Sequence, residues 1–154
     1  MICTPAAIMP AARPSTPALR LVLTSRLEDL GLAWPWVEAL ADHYHIPAQT
    51  RFAIEICLEE ALSNIVHHGY RGQGDRPITV DCELSGAGEL VFTIEDEAPR
   101  FDPCAADESP AHASIEELKP GGQGIRLMRK FAGRVTWAPA PNGNRLTLAF
   151  ALPH

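Results

Sequence analysis

A chain of 154 residues, 46% hydrophobic and 21% charged, has the make-up of one globular domain that buries about two-thirds of its unfolded surface in a single core. Its 13 Lys and Arg against 19 Asp and Glu give a net charge of −6. That balance leaves no basic stripe for phosphate-backbone binding, which argues against direct contact with nucleic acid.

The first 17 residues carry Pro5, Pro10, Pro14 and Pro17, which interrupt any signal-peptide core; they read as a disordered leader ahead of one domain over 18–154. From Ala18 to Ser25 the chain alternates, with Leu19, Leu21 and Leu23 on one face of a half-buried strand. Leu27 to His45 reads as a helix that kinks or restarts at Pro35, and Pro47 closes it. Thr50 is then placed to cap a central helix from Arg51 to Gly69. On that helix Ile54, Leu58, Leu62 and Ile65 share a stripe, while Glu60 and Asn64 lie four apart on a neighbouring face. An acid and an amide one turn apart suit a general base and a neutral oxygen ligand for a hard cation such as magnesium; by spacing alone they equally suit a solvated helix face.

After the turn at 71–75, Ile78, Val80, Cys82 and Leu84 alternate, and Leu90, Phe92 and Ile94 repeat the pattern beyond Ser85–Gly88. This is a β-hairpin whose second strand delivers Asp96 at its end. Pro99 to Pro120 lacks periodicity and reads as a long functional loop. Gly124 to Ala132 reads as a helix opening on glycines, with Ile125, Leu127, Met128 and Phe131 available to the core. A final hairpin pairs Val135–Ala138 with Asn144–Leu152 across 139–143, Leu146, Leu148, Phe150 and Leu152 pointing inward. The order implies an α+β fold: a two-layer sandwich with a mixed, mainly antiparallel sheet and helices on one face. Cys3, Cys57, Cys82 and Cys104 form no CxxC and have no histidine at ligand spacing, which suits a reducing cytoplasm, and no apolar run approaches the about 18 residues of a membrane span.

Three blocks stand in a telling order: Glu60-x-x-x-Asn64 running into His68-Gly69-Tyr70, then Asp96 with Phe101-Asp102-Pro103, then Gly121-Gly122-Gln123-Gly124-Ile125-Arg126-Leu127-Met128-Arg129. They resemble the N, G1 and G2 boxes of the GHKL ATPases, and among these look most like the bacterial anti-sigma-factor serine/threonine kinases. The resemblance spans roughly Leu19 to Leu152 and implies the Bergerat-type ATP-binding fold, with 99–120 as the ATP lid. It also implies ATP and Mg2+ as cofactors. By resemblance, Glu60 is the base, Asn64 the magnesium ligand, and Asp96 the acceptor of the adenine amine. Ala98, Gly122, Gly124 and Ile125 fall in the nucleotide-binding boxes, and Thr147 matches a threonine that supports adenine recognition. Arg126 and Arg129 would balance phosphate charge; His68 and Tyr70 fit either ligands or supports. The family often has glycine where this chain has Ala98, so nucleotide affinity is what that methyl bears on. The implied partners are a sigma factor and an anti-sigma-factor antagonist, in a cytoplasmic homodimer. The alternative is a non-catalytic, protein-sequestering module of the same fold.

Overall fold

A computed structural model describes residues 19–105 and 122–153, of which 122 and 123 by backbone alone. The leader at 1–17 and most of the lid therefore lie outside the described residues. The element order is β1 (Arg20–Thr24), α1 (Leu27–Leu30), α2 (Ala33–Tyr44), α3 (Ala48–Asn64) continued by a π-turn (Ile65–Gly69), β2 (Pro77–Leu84), β3 (Glu89–Asp96), α4 (Gly122–Phe131), β4 (Arg134–Ala140) and β5 (Gly143–Ala151). The strands form one sheet in the order β1-β2-β3-β5-β4, antiparallel at every pairing. The sheet, expected as mainly antiparallel, is wholly so among the described strands.

The period-2 apolar pattern decides which face is covered. Leu23, Ile78, Val80, Cys82, Leu90, Phe92, Ile94, Leu146, Leu148 and Phe150 are buried with the helices in one core. Phe92 lies at its centre, its ring meeting Trp36 and Phe150 edge-on at 6.0 and 5.8 Å. Most of the opposite sheet face stays half-buried to exposed, Val22 among it at 65% exposure. The apolar stripe of α3 does as its spacing demands: Ile54, Leu58 and Leu62 are fully buried. Cys57 and Cys82 pack here as small hydrophobes, and burial pushes both thiols up to about 12, Glu60 adding to the effect at Cys57.

Three boundaries differ from the sequence reading. The first helix breaks at Gly31 and Leu32, before Pro35, which sits in the opening turn of α2 where a missing N–H costs nothing. Helix α3 begins at Ala48 behind Pro47, so Thr50 lies inside its first turn and caps nothing. The last hairpin turns on Pro141 and Asn142 alone, so Pro139 belongs to β4, an edge strand that tolerates proline. Gly143, the first residue of β5, has no room for a side chain: a Cβ there would come within 2.7 Å of Glu97 Cα and closer still to the Asp96 carbonyl oxygen. The β3–β5 pairing is therefore drawn tight where Asp96 leaves the sheet.

Candidate functional site

Glu60 and Asn64 stand one turn apart near the end of α3, both half-buried, on the side that receives the start of α4. The two helices touch through Gly124. A Cβ on that glycine would lie 2.7 Å from Asn64 Nδ2 and 3.1 Å from Glu60 Oε2, so acid, amide and glycine backbone form one cluster. Among the described residues Glu60 has no cationic partner, in contrast to Glu55 of the same helix, which binds Arg51 at 2.8 Å. Glu59 is exposed. The N-terminus of α4 adds first-turn N–H groups that have no carbonyl partner within the helix and the positive end of a helix dipole, an environment that favours an anion. No group of three His, Cys, Asp or Glu suited to a metal occurs among the described residues. A cation here would draw on the Asn64 amide oxygen and complete its shell from water and ligand, a pattern that fits magnesium.

The second cluster gathers at the ends of β3 and β5, whose residues Asp96 and Asn144 are register partners. Asp96 is 8% exposed, and its Oδ1 accepts hydrogen bonds from Asn144 Nδ2 and the Ala98 N–H, both at 2.9 Å. Among the described residues Oδ2 takes no donor and remains an acceptor for a ligand. Burial raises the Asp96 carboxyl above the usual carboxylate range, while the two hydrogen bonds pull it back. Asn144 went unnoticed in the sequence, although its signal was there: it is the one polar member of the inward series Asn144, Leu146, Leu148, Phe150.

The π-turn joins the two clusters. Ala98 is buried, and its methyl lies 3.0 Å from where a Cβ of Gly69 would stand, so the missing side chain at Gly69 makes room for it. Tyr70, next in the chain, donates its hydroxyl proton to the Pro77 carbonyl at 2.6 Å and accepts the Glu97 N–H at 2.7 Å. It braces the exit of β3 against the start of β2, whereas His67 and His68 are exposed.

The side chains of two residues expected at the nucleotide point away from these clusters. Thr147 pairs with Thr93 and Thr136 in mid-sheet and shares the outer face with Arg145, away from Asp96; strand alternation sends Asn144 inward and Thr147 outward. The side chain of Ile125 is 1% exposed and committed to the core, which leaves only its backbone to a ligand. Gly122 opens α4, and Arg129 reaches back to the Cys104 carbonyl at 3.1 Å, where the described part of the lid ends.

Residues 23–150 match the model of the histidine kinase-like ATPase domain. The chain belongs to this family. Within it, the serine/threonine-protein kinase BtrW of Bordetella bronchiseptica is 32% identical over 134 residues, covering 86% of this chain and 92% of that protein. The anti-sigma F factors of Halalkalibacterium halodurans and Oceanobacillus iheyensis are each 27% identical over 88 residues, and the match spans 60% of their length. Among solved structures, a blue-light activated histidine kinase of Erythrobacter litoralis aligns over 81% of this chain and 60% of its own, with a TM-score of 0.49 and 15% identity. As an ATPase domain of the histidine kinase-like family, the chain takes ATP as its nucleotide. No helix among its described residues is long and apolar enough to cross a membrane.

Proposed function

We propose that this histidine kinase-like domain is an ATP-dependent serine/threonine protein kinase that acts as an anti-sigma regulatory factor and phosphorylates an anti-sigma-factor antagonist. The observation that carries the reading is the meeting of Glu60 and Asn64 with Gly124 at the start of α4. It sets a carboxylate that has no cationic partner among the described residues beside an amide and an anion-favouring helix end. The kinase and anti-sigma names of its relatives support the same reading.

In the transfer, the partner's hydroxyl oxygen attacks the γ-phosphorus as the bond to the β–γ bridging oxygen breaks, and ADP leaves. Glu60 takes the hydroxyl proton, since an unaided hydroxyl is a poor nucleophile. Asn64 holds a magnesium ion by its amide oxygen, where a second carboxylate would repel phosphate. When bound, that ion neutralises charge on the triphosphate. The backbone from Gly122 to Ile125 and the α4 dipole hold the phosphates in line. Asp96 Oδ2 accepts the adenine amine, so the site prefers adenine to guanine, which offers a carbonyl at that position.

Asp96 makes recognition sensitive to acid. Its folded pKa lies above the unfolded one, so its contribution to stability is fullest when protonated, below the unfolded pKa, and is lost as pH rises through the folded pKa. Adenine needs the opposite state. ATP affinity measured by calorimetry is therefore expected to fall on acidification at a pH above the ordinary aspartate range, without loss of fold. A flat profile down to that range contradicts the assignment.

The test of the reading is incubation with γ-labelled ATP, magnesium and an antagonist protein. Label is expected on a serine or threonine of the antagonist, and chelation of the magnesium is expected to abolish it. A domain that binds ATP and sequesters its partner without ever passing on label is instead the non-catalytic module.

A further inference from the structure

Asn144 forms a hydrogen-bonded hub at the nucleotide end of the sheet. Its Oδ1 accepts the Trp137 indole N–H at 3.0 Å and the Phe101 N–H at 2.8 Å. Its Nδ2 donates to Asp96 Oδ1 at 2.9 Å, to the Ala98 carbonyl at 3.3 Å and to the Pro99 carbonyl at 3.2 Å. Chemistry allows this amide only one orientation. An indole N–H and a backbone N–H are donors alone, so both must meet the amide oxygen, and the NH2 group is turned toward Asp96.

We propose that Trp137 and Asn144 act together as a positioning pair for nucleotide selection, the indole locking the amide and the amide locking the direction of the Asp96 carboxylate. This rests on the reading of Asp96 as the adenine acceptor. With Oδ1 held by Asn144 and by the Ala98 N–H, rotation of the carboxylate would break two bonds inside a buried site, so Oδ2 stays aimed at the ligand. Asn144 also fastens the chain from Ala98 to Phe101 as it leaves β3, and it keeps the carboxylate from turning to its own backbone or to water. Selectivity then comes from geometry: a fixed acceptor rewards a donor and leaves a carbonyl facing a carboxylate, whereas a mobile one discriminates poorly. Neither residue belongs to the cluster of Glu60, Asn64 and Gly124 assigned to the phosphates and the attacking hydroxyl, so the pair is expected to act on nucleotide binding and not on transfer.

The test is a comparison of ATP and GTP binding by calorimetry, with KM and kcat for phosphotransfer, in the wild-type chain, Asn144→Ala and Trp137→Phe. Trp137→Phe keeps a ring in place and removes only the indole donor, so it reports on the pair even where Asn144→Ala destabilises the fold. In both variants the KM for ATP is expected to rise about tenfold, the effect of one misplaced hydrogen bond, with kcat at saturating ATP within about twofold of wild type. The ATP-to-GTP ratio is expected to fall by a similar factor. Unchanged selectivity in Trp137→Phe overturns the pairing, as does an equal loss of affinity for both nucleotides. A wild-type chain that binds ATP but does not prefer it to GTP overturns the adenine reading of Asp96 itself, and with it this inference.

Discussion

Glu60→Gln is expected to slow phosphotransfer by about 10²- to 10⁴-fold at saturating ATP, with little change in ATP affinity. Glutamine keeps the length and planarity of the side chain and still fills the space beside Gly124, 3.1 Å from where a Cβ there would stand. What it loses is the ability to take a proton. The carboxylate has no cationic partner among the described residues, so its removal orphans no ion pair and leaves the fold intact. Single-turnover transfer from labelled ATP, set beside calorimetric binding, separates the two effects. Glu59→Gln supplies the control: that carboxylate is exposed on the same helix, and the change there is expected to alter neither quantity. Transfer that survives in Glu60→Gln at the wild-type rate removes the base from the mechanism.

The parts of this fold legible in the sequence are those governed by local periodicity. The stripe of Ile54, Leu58 and Leu62, the alternation of β2 and β3, and the place of Asp96 at the end of β3 follow from periods of 3.6 and 2, and burial agrees with the stripe and with the alternation, which carries Asp96 inward. Boundaries were less legible because they depend on contacts beyond the window. Thr50 looks like a cap, yet helix α3 starts two residues earlier at Ala48, where the fixed φ of Pro47 already leads into it.

Site residues divide in the same way. Gly124 lies far in sequence from Glu60 and Asn64, and only the packing of α4 on α3 brings it to them. Thr147 attracted the adenine-supporting role through its likeness to a family position. Strand parity places it on the outer face, and the polar residue beside Asp96 is Asn144, three positions earlier on the inward series. Had parity outranked the likeness of residue type, Asn144 would have stood out. Ala98, a departure from the usual glycine, is accommodated by Gly69 across the π-turn, a compensation that no single segment of sequence displays.

The two tight glycines of the site predict opposite things, and the difference lies in what a methyl would meet. At Gly143 it would meet backbone of Asp96 and Glu97, which cannot yield without parting β5 from β3. At Gly124 it would meet Asn64 Nδ2 at 2.7 Å and Glu60 Oε2 at 3.1 Å, the far ends of two side chains that can swing aside. Gly124→Ala is therefore expected to fold as well as the wild type or better, since alanine within a helix is favoured over glycine by up to about 1 kcal/mol. Activity is expected to move the other way. A shift of about 1 Å in a catalytic group costs on the order of 10²-fold, and here both Glu60 and Asn64 must move, so transfer is expected to fall by at least about that factor. Thermal unfolding and transfer rate, measured on the same preparation, give the two readouts. A Gly124→Ala chain that keeps its melting temperature and loses transfer locates the chemistry at this contact; one that keeps both shows that Glu60 and Asn64 do their work, if any, away from the start of α4.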